Sequence, residues 1–156
     1  ASHILLPGVG AADPAIAGLR ERGLDRVLTR LTQPLLGICL GMQLLFQSSE
    51  EGNCNLLGFL PGHVRRLVPA PIWPHMGWNT LMIADDHPLL QGIGPDDWFY
   101  FVHGYAAASG PQTIACCDFG GDFAAVVARD NVMGVQFHPE KSSWPGLRLL
   151  ANFFTL

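Results

Sequence analysis

Gly37-Ile38-Cys39-Leu40-Gly41 closes an apolar run and opens a helical pattern, the arrangement that presents a side chain on a sharp strand-to-helix turn. Such an elbow needs its glycines. One flank passes close to a neighbouring backbone, and the other is expected to take a conformation that a Cβ would oppose. A cysteine at the apex gains from the amides that open the next helix, which favour a thiolate. The amide of Leu40 is also placed to bind a developing oxyanion. Taken alone, the pentapeptide is equally compatible with a small buried thiol, because free cysteine is among the most buried residue types.

His138-Pro139-Glu140 tips that balance. Pro139 biases His138 away from the helical region, so the segment reads as extended, and both side chains then leave on one side. That suits a base and its orienter: the imidazole takes the thiol proton while the carboxylate fixes its tautomer. Cys39, His138 and Glu140, in that chain order, are the expected catalytic triad.

The rest of the sequence restricts the class. With 156 residues, 49% of them hydrophobic, the chain has material for one sizeable core, and disorder is excluded. A net charge of -4 with scattered Lys and Arg argues against a nucleic-acid partner. The longest apolar stretch, around Leu35 to Phe46, is too short to span a bilayer and is interrupted by Gly and Cys. Four cysteines are present, yet Cys116 and Cys117 are adjacent in a strand-like run and point to opposite faces. With no secretory leader in view, a reduced cytoplasmic protein is expected. No ligand spacing resembles a zinc site, so neither a metal nor a cofactor is expected.

Punctuation by Gly and Pro organises the chain. His3 to Leu6 reads as a buried strand running into the loop Pro7-Gly8-Val9-Gly10. Asp13-Pro14 reads as a helix N-cap and first position. Ile16, Leu19, Val27, Leu28 and Leu31 continue an imperfect stripe weakened by Gly18 and Gly23. Pro34 to Ile38 and Leu40 to Ser48 repeat the strand and the helix. Two such units in series favour a parallel sheet with right-handed crossovers.

From Val64 onward the pattern changes to short β-rich runs at Val64 to Val68, Thr80 to Ala84, Trp98 to Tyr105, Thr113 to Cys117 and Phe123 to Ala128, which suggest an antiparallel extension. Asp130-Asn131 forms a plausible hairpin that delivers Phe137 and His138. A last helix is expected from about Pro145, with Leu147, Leu150, Ala151 and Phe154 covering the sheet.

Gly8-Val9-Gly10-Ala11-Ala12-Asp13 imitates a dinucleotide-binding turn. Asp13 argues against it, because its carboxylate would repel a pyrophosphate at the helix N-terminus. A better use of this loop is an amide from Val9 or Gly10 as the second oxyanion donor. His103, in a strand beside aromatic residues, reads as a core or site-wall histidine rather than a second base. His3, His63, His75 and His87 show no partner pattern, and Cys54, Cys116 and Cys117 read as structural.

PGVG, GICLGMQ and HPE in this order resemble the triad, or class I, glutamine amidotransferases. Pro74-His75-Met76-Gly77-Trp78-Asn79, Phe99 to Tyr105 and Gly134 to Ser142 are similar to the glutaminase branch of imidazole glycerol phosphate synthase. The resemblance implies an α/β, flavodoxin-like three-layer sandwich, mostly parallel with an antiparallel extension. It implies hydrolysis of L-glutamine to glutamate and ammonia, with ammonia passed to a cyclase subunit in a heterodimer that serves histidine biosynthesis. Gly8, Gln43, Gly104 and Tyr105 are implied substrate contacts, and Met76, Trp78 and Asn79 an implied partner surface; Met76 and Trp78 are also compatible with plain core.

Two departures accompany the resemblance. Residues 1–156 are expected to form one amidotransferase domain that opens inside the family's third strand and so lacks the first strands. The missing elements would leave sheet edges and apolar faces open, and poor stability or self-association is expected. Gly104 stands where the family commonly has serine. Competing readings are another triad amidotransferase, a γ-glutamyl hydrolase, or a noncatalytic interaction module.

Overall fold

Two apolar faces of one sheet organise the chain. The computed structural model describes residues 1–68 and 70–156. Its elements are β1 (Ile4–Gly8), α1 (Ala12–Glu21), α2 (Leu24–Leu28), β2 (Leu35–Cys39), α3 (Leu40–Gln43), β3 (Ser48–Ser49), β4 (Cys54–Asn55), β5 (His63–Arg66), β6 (His75–Thr80) and β7 (Met82–Ile83). There follow β8 (Trp98–His103), β9 (Tyr105–Ala107), β10 (Thr113–Asp118), β11 (Asp122–Arg129), β12 (Val132–Val135) and α4 (Ser143–Phe153). Short 3₁₀ turns occupy Pro88–Leu90 and Pro139–Lys141.

The main sheet has the order β1-β2-β12-β11-β10-β7. β1, β2 and β12 are parallel, and the remaining three pairings are antiparallel, giving the parallel centre and antiparallel extension expected of an α/β sandwich. Burial on both faces explains the apolar β2, in which all five residues are buried. On one face Leu35 packs with Ile16, Leu28, Leu40 and Met42 from α1, α2 and α3. On the other, Leu36 and Ile38 pack with Leu149 and Phe153 of α4. The result is three layers, with a small sheet β4-β3-β5-β9 and the ribbon β6-β8 beside them.

Four local expectations are corrected. Asp13 does not cap α1: the N-cap is Ala11, Asp13 lies in the first turn, and the free Ala12 amide donates to Glu51 Oε1 at 2.8 Å. The helical stripe that follows is two helices, separated at Gly23 in the left-handed region (φ 66°). The helix after the elbow ends at Gln43 rather than Ser48. Tertiary bonds replace its continuation, because the carbonyls of Leu44, Leu45 and Phe46 accept from Leu57, Leu60 and Gly58. Finally, α4 buries Gly146, Leu149 and Phe153, whereas Leu147 and Phe154 are exposed. The helix is rotated because Gly146 sits directly on the Pro139 carbonyl, where no side chain fits.

Candidate active site

The elbow is built from two close approaches and one strained residue. A Cβ on Gly41 would overlap the Leu6 carbonyl, and one on Gly37 would lie 2.6 Å from Gly41 O. Both glycines therefore serve close packing. The strained backbone falls on Cys39 itself, at φ 55° and ψ −112°, contrary to the expectation that a flanking glycine would take it. Cys39 ends β2 opposite Gly8 of β1 and is buried.

Burial decides the protonation of Cys39. Desolvation pushes its thiol up to about 11, and Glu140 adds to the rise, whereas the Leu40 amide, Gln136 and Lys141 act the other way. The helix-opening amides expected to favour a thiolate are thus outweighed at rest. The thiol donates to Val102 O and accepts from Gln136 Nε2, each at 3.8 Å.

His138 is delivered by the β11-β12 hairpin, whose turn at Asp130-Asn131 puts Asp130 at φ 53°. Its backbone is extended (φ −98°, ψ 98°), as the following proline dictates. It is also held on both sides: His138 N donates to Tyr100 O at 2.9 Å, and Ser142 Oγ donates to His138 O at 2.6 Å. Glu140 reaches the ring because Pro139–Lys141 curls into a 3₁₀ turn; the chain does not stay extended as expected. His138 Nδ1–H donates to Glu140 Oε1 at 2.7 Å. That bond leaves Nε2 bare, buried and without a hydrogen-bond partner.

Cys39 and His138 open onto one cleft of about 250 Å³. Of the residues singled out from sequence, Val9, Gly10, Leu40, Gln43, Gly104 and Tyr105 line it as well. Glu140 stands behind His138, and Gly8 lies under the wall, where a Cβ would touch Leu40 at 3.2 Å. Gln43 Nε2 donates to Tyr105 O at 2.9 Å and to Gln136 Oε1 at 3.1 Å.

Sequence reasoning missed three contributors. Glu51 lines the cleft from the loop after β3, and only the fold reveals that its carboxylate accepts from the distant Ala12 amide. Gln136, fully buried, touches the Cys39 sulfur; its place two residues before His138 on the hairpin was the available signal. His75 does have a partner, since its Nδ1 lies 2.9 Å from His103 Nε2 and its ring is stacked on Phe101 and Phe119. Burial lowers His75 to about 4 and His103 to about 3, so both rings are neutral at pH 7. His103 is the wall histidine expected of it. The other three isolated histidines also find partners: His3 with Leu156 O, His63 with Ser48 Oγ, and His87 with the Leu89 amide.

Gly104 has a structural reason of its own. Trp73 Nε1 donates to Gly104 O at 2.9 Å, and a Cβ on Gly104 would lie 2.7 Å from Trp73 Cε2. The Arg66 guanidinium lies over that indole, 4.0 Å from the ring centroid. Indole therefore occupies the space that a side chain at 104 would need.

Along β6, Met76 and Trp78 point outward, 63% and 50% exposed. Trp78 meets Tyr100 of β8 edge-on at 5.8 Å. Asn79 leaves from the opposite face, where its Nδ2 donates to Asp118 O at 3.0 Å, so it does not share the outward surface. All four cysteines are free thiols. Among the described residues no helix is long and apolar enough to cross a membrane, and no three His, Cys, Asp or Glu side chains gather as a metal would require.

The whole chain, residues 1–156, matches the profile of the class-I glutamine amidotransferases. It is 52% identical over 158 residues to the imidazole glycerol phosphate synthase subunit HisH of Xanthomonas campestris pv. campestris, covering 100% of this chain and 79% of that protein. The subunit of the same name from Pasteurella multocida is 48% identical over 154 residues, covering 98% and 78%. Among solved structures, a glutamine amidotransferase superposes with a TM-score of 0.70 at 20% identity, covering 98% of this chain and 79% of that one. The glutaminase domain of Trypanosoma brucei CTPS gives 0.66 at 19%, covering 99% and 71%.

Proposed function

This chain belongs to the class-I glutamine amidotransferases, and from that membership we propose that Cys39, His138 and Glu140 hydrolyse glutamine through a thioester. The chain is a glutaminase subunit that works in histidine biosynthesis, as identities near 50% to HisH subunits over its full length support. Its product ammonia passes to the cyclase subunit that makes imidazole glycerol phosphate. Residues 1–156 act as one amidotransferase domain. Four free thiols support a reducing, cytoplasmic compartment.

The observation that carries the residue assignment is the 2.7 Å bond from His138 Nδ1 to Glu140, with Nε2 bare on the same cleft as Cys39. Nε2 takes the proton from Cys39 Sγ as sulfur attacks the carboxamide carbon of glutamine. The carbonyl oxygen becomes an oxyanion, held by the Leu40 amide and an amide of the Val9-Gly10 loop. The imidazolium, stabilised by Glu140, gives its proton to the leaving nitrogen, and ammonia departs. Water, deprotonated by the same Nε2, then cleaves the thioester to glutamate and the free thiol. Gln43, Gly104 and Tyr105 orient the amide and the amino-acid end, with Gly8 shaping the floor, and the Glu51 carboxylate suits a substrate ammonium. Met76 and Trp78 form the docking surface for the cyclase.

Cys39→Ala in the complex with the cyclase tests the proposal. Glutamine-driven turnover should vanish while turnover on supplied ammonia stays at the wild-type rate. Retention of glutamine-driven turnover would overturn it.

A further inference from the structure

Resting on that reading of Cys39, we propose that Gln136 is a further catalytic residue, whose side-chain N–H holds the Cys39 thiolate. We infer also that Gln43, Tyr105, His103 and His75 form the frame that keeps its amide turned toward sulfur. The geometry leaves little freedom. A backbone carbonyl can only accept, so Tyr105 O fixes which end of the Gln43 amide faces it, at 2.9 Å. The second hydrogen of Gln43 Nε2 then goes to Gln136 Oε1 at 3.1 Å. Gln136 must therefore present Nε2 to Cys39 Sγ, at 3.8 Å.

The same carbonyl fixes the other half of the frame. Tyr105 O also accepts from His103 Nδ1 at 2.9 Å, which leaves His103 Nε2 bare to accept from His75 Nδ1, again at 2.9 Å. His75 Nε2 is then bare in turn, and Asn79 Nδ2, anchored by Asp118 O at 3.0 Å, stands 3.5 Å from it. One set of tautomers and amide orientations satisfies every member. Gln136 is fully buried, so no water competes for its amide.

The value of this donor appears when the S–H bond breaks. The resting thiol uses its hydrogen on Val102 O. Once that proton moves to His138 Nε2, sulfur can only accept, and Val102 O, an acceptor itself, no longer helps. Apart from the His138 Nε2–H that this transfer creates, and that leaves again with the departing nitrogen, the Gln136 N–H and the Leu40 amide are the donors that remain. The charged and titratable groups facing the sulfur do not replace them: Glu140 opposes the thiolate, exposed Lys141 favours it, and His103 is held neutral. Glu51 and Tyr105 also line the cleft.

The glutaminase–cyclase complex provides the test. At pH 8, below the thiol midpoint, chloroacetamide should alkylate Cys39 at a rate proportional to its thiolate fraction. Gln136→Met, which keeps the volume but lacks a donor, should slow that alkylation about tenfold or more. The glutamine kcat should fall by a similar factor, with KM within about twofold, because the lost bond acts on the nucleophile. Ammonia-driven turnover should be unchanged, which reports a folded, docked subunit. His103→Phe should slow alkylation less, and should add nothing to Gln136→Met if the frame acts through Gln136. Gln136→Asn, whose amide stops short of the sulfur, gives the same readout if the methionine variant does not fold. Wild-type alkylation by either folded variant overturns the proposal, even where kcat has dropped. A Cys39→Ala subunit that still consumed glutamine would instead overturn the underlying glutaminase reading.

Discussion

His138 Nδ1 and Glu140 Oε1 lie 2.7 Å apart, although the His138 ring is buried and the Glu140 side chain is half exposed. Water therefore competes for the carboxylate, and the bond contributes orientation and tautomer control more than raw charge. Glu140→Ala removes the acceptor that orients the ring and holds the proton on Nδ1. The glutamine kcat should fall about a hundredfold or more, while ammonia-driven turnover in the complex is unaffected. A fall of less than about threefold would mean that the carboxylate contributes little to the base.

Gly104 and Trp73 should behave as one unit. Any side chain at 104 meets the indole that caps Gly104 O. Gly104→Ser alone should cost about 2 kcal/mol, lowering Tm by roughly 5 °C. Trp73→Ala alone loses its contacts with Arg66 and Tyr105. The double variant should be less destabilised than the sum of the two, because serine then has room. Strict additivity in thermal melts would show that the two positions are independent.

How much of this was legible beforehand follows from what each signal reports. The hairpin at Asp130-Asn131 and the extended His138 were readable because local sterics at Asp130 and before Pro139 decide them; the elbow was readable as a turn, but not that Cys39 itself would carry the strain while Gly37 and Gly41 serve close packing. The length of α3 was not readable, because carbonyls from Leu44 to Phe46 are satisfied by residues more than ten positions away. The buried face of α4 was misjudged by one residue, since side-chain periodicity cannot register that Gly146 must meet the Pro139 carbonyl. His75 had no sequence partner because its contact, His103, is brought alongside by β6-β8 register alone.

Acid should expose the buried histidine pair. His75 and His103 have folded-state values near 4 and 3, below the 6.5 expected of an unfolded chain. Between pH 6.5 and 4 the unfolded state therefore binds protons that the folded state refuses, and stability falls as pH drops through that window. His75 lies stacked between Phe101 and Phe119, a space a phenyl ring fills. The Tm of His75→Phe should consequently fall less between pH 7 and pH 5 than that of the wild type. An equal fall in the two proteins would assign the acid sensitivity elsewhere.

Opposite faces of β6 should separate docking from stability. Trp78 is 50% exposed and backed by Tyr100, a rigid aromatic anchor of the kind that dominates interfaces. Trp78→Ala should weaken association with the cyclase by about 2 kcal/mol, roughly thirtyfold in Kd. The isolated subunit should change by no more than about 0.5 kcal/mol, because little packing is lost. Asn79 faces the other way and bonds to Asp118 O and its own neighbour Thr80. Asn79→Ala should therefore lower Tm while leaving Kd for the cyclase nearly unchanged. Titration calorimetry and melting curves on both variants distinguish the cases; a Kd that moved with Asn79 and not with Trp78 would place the docking surface on the other side of the ribbon.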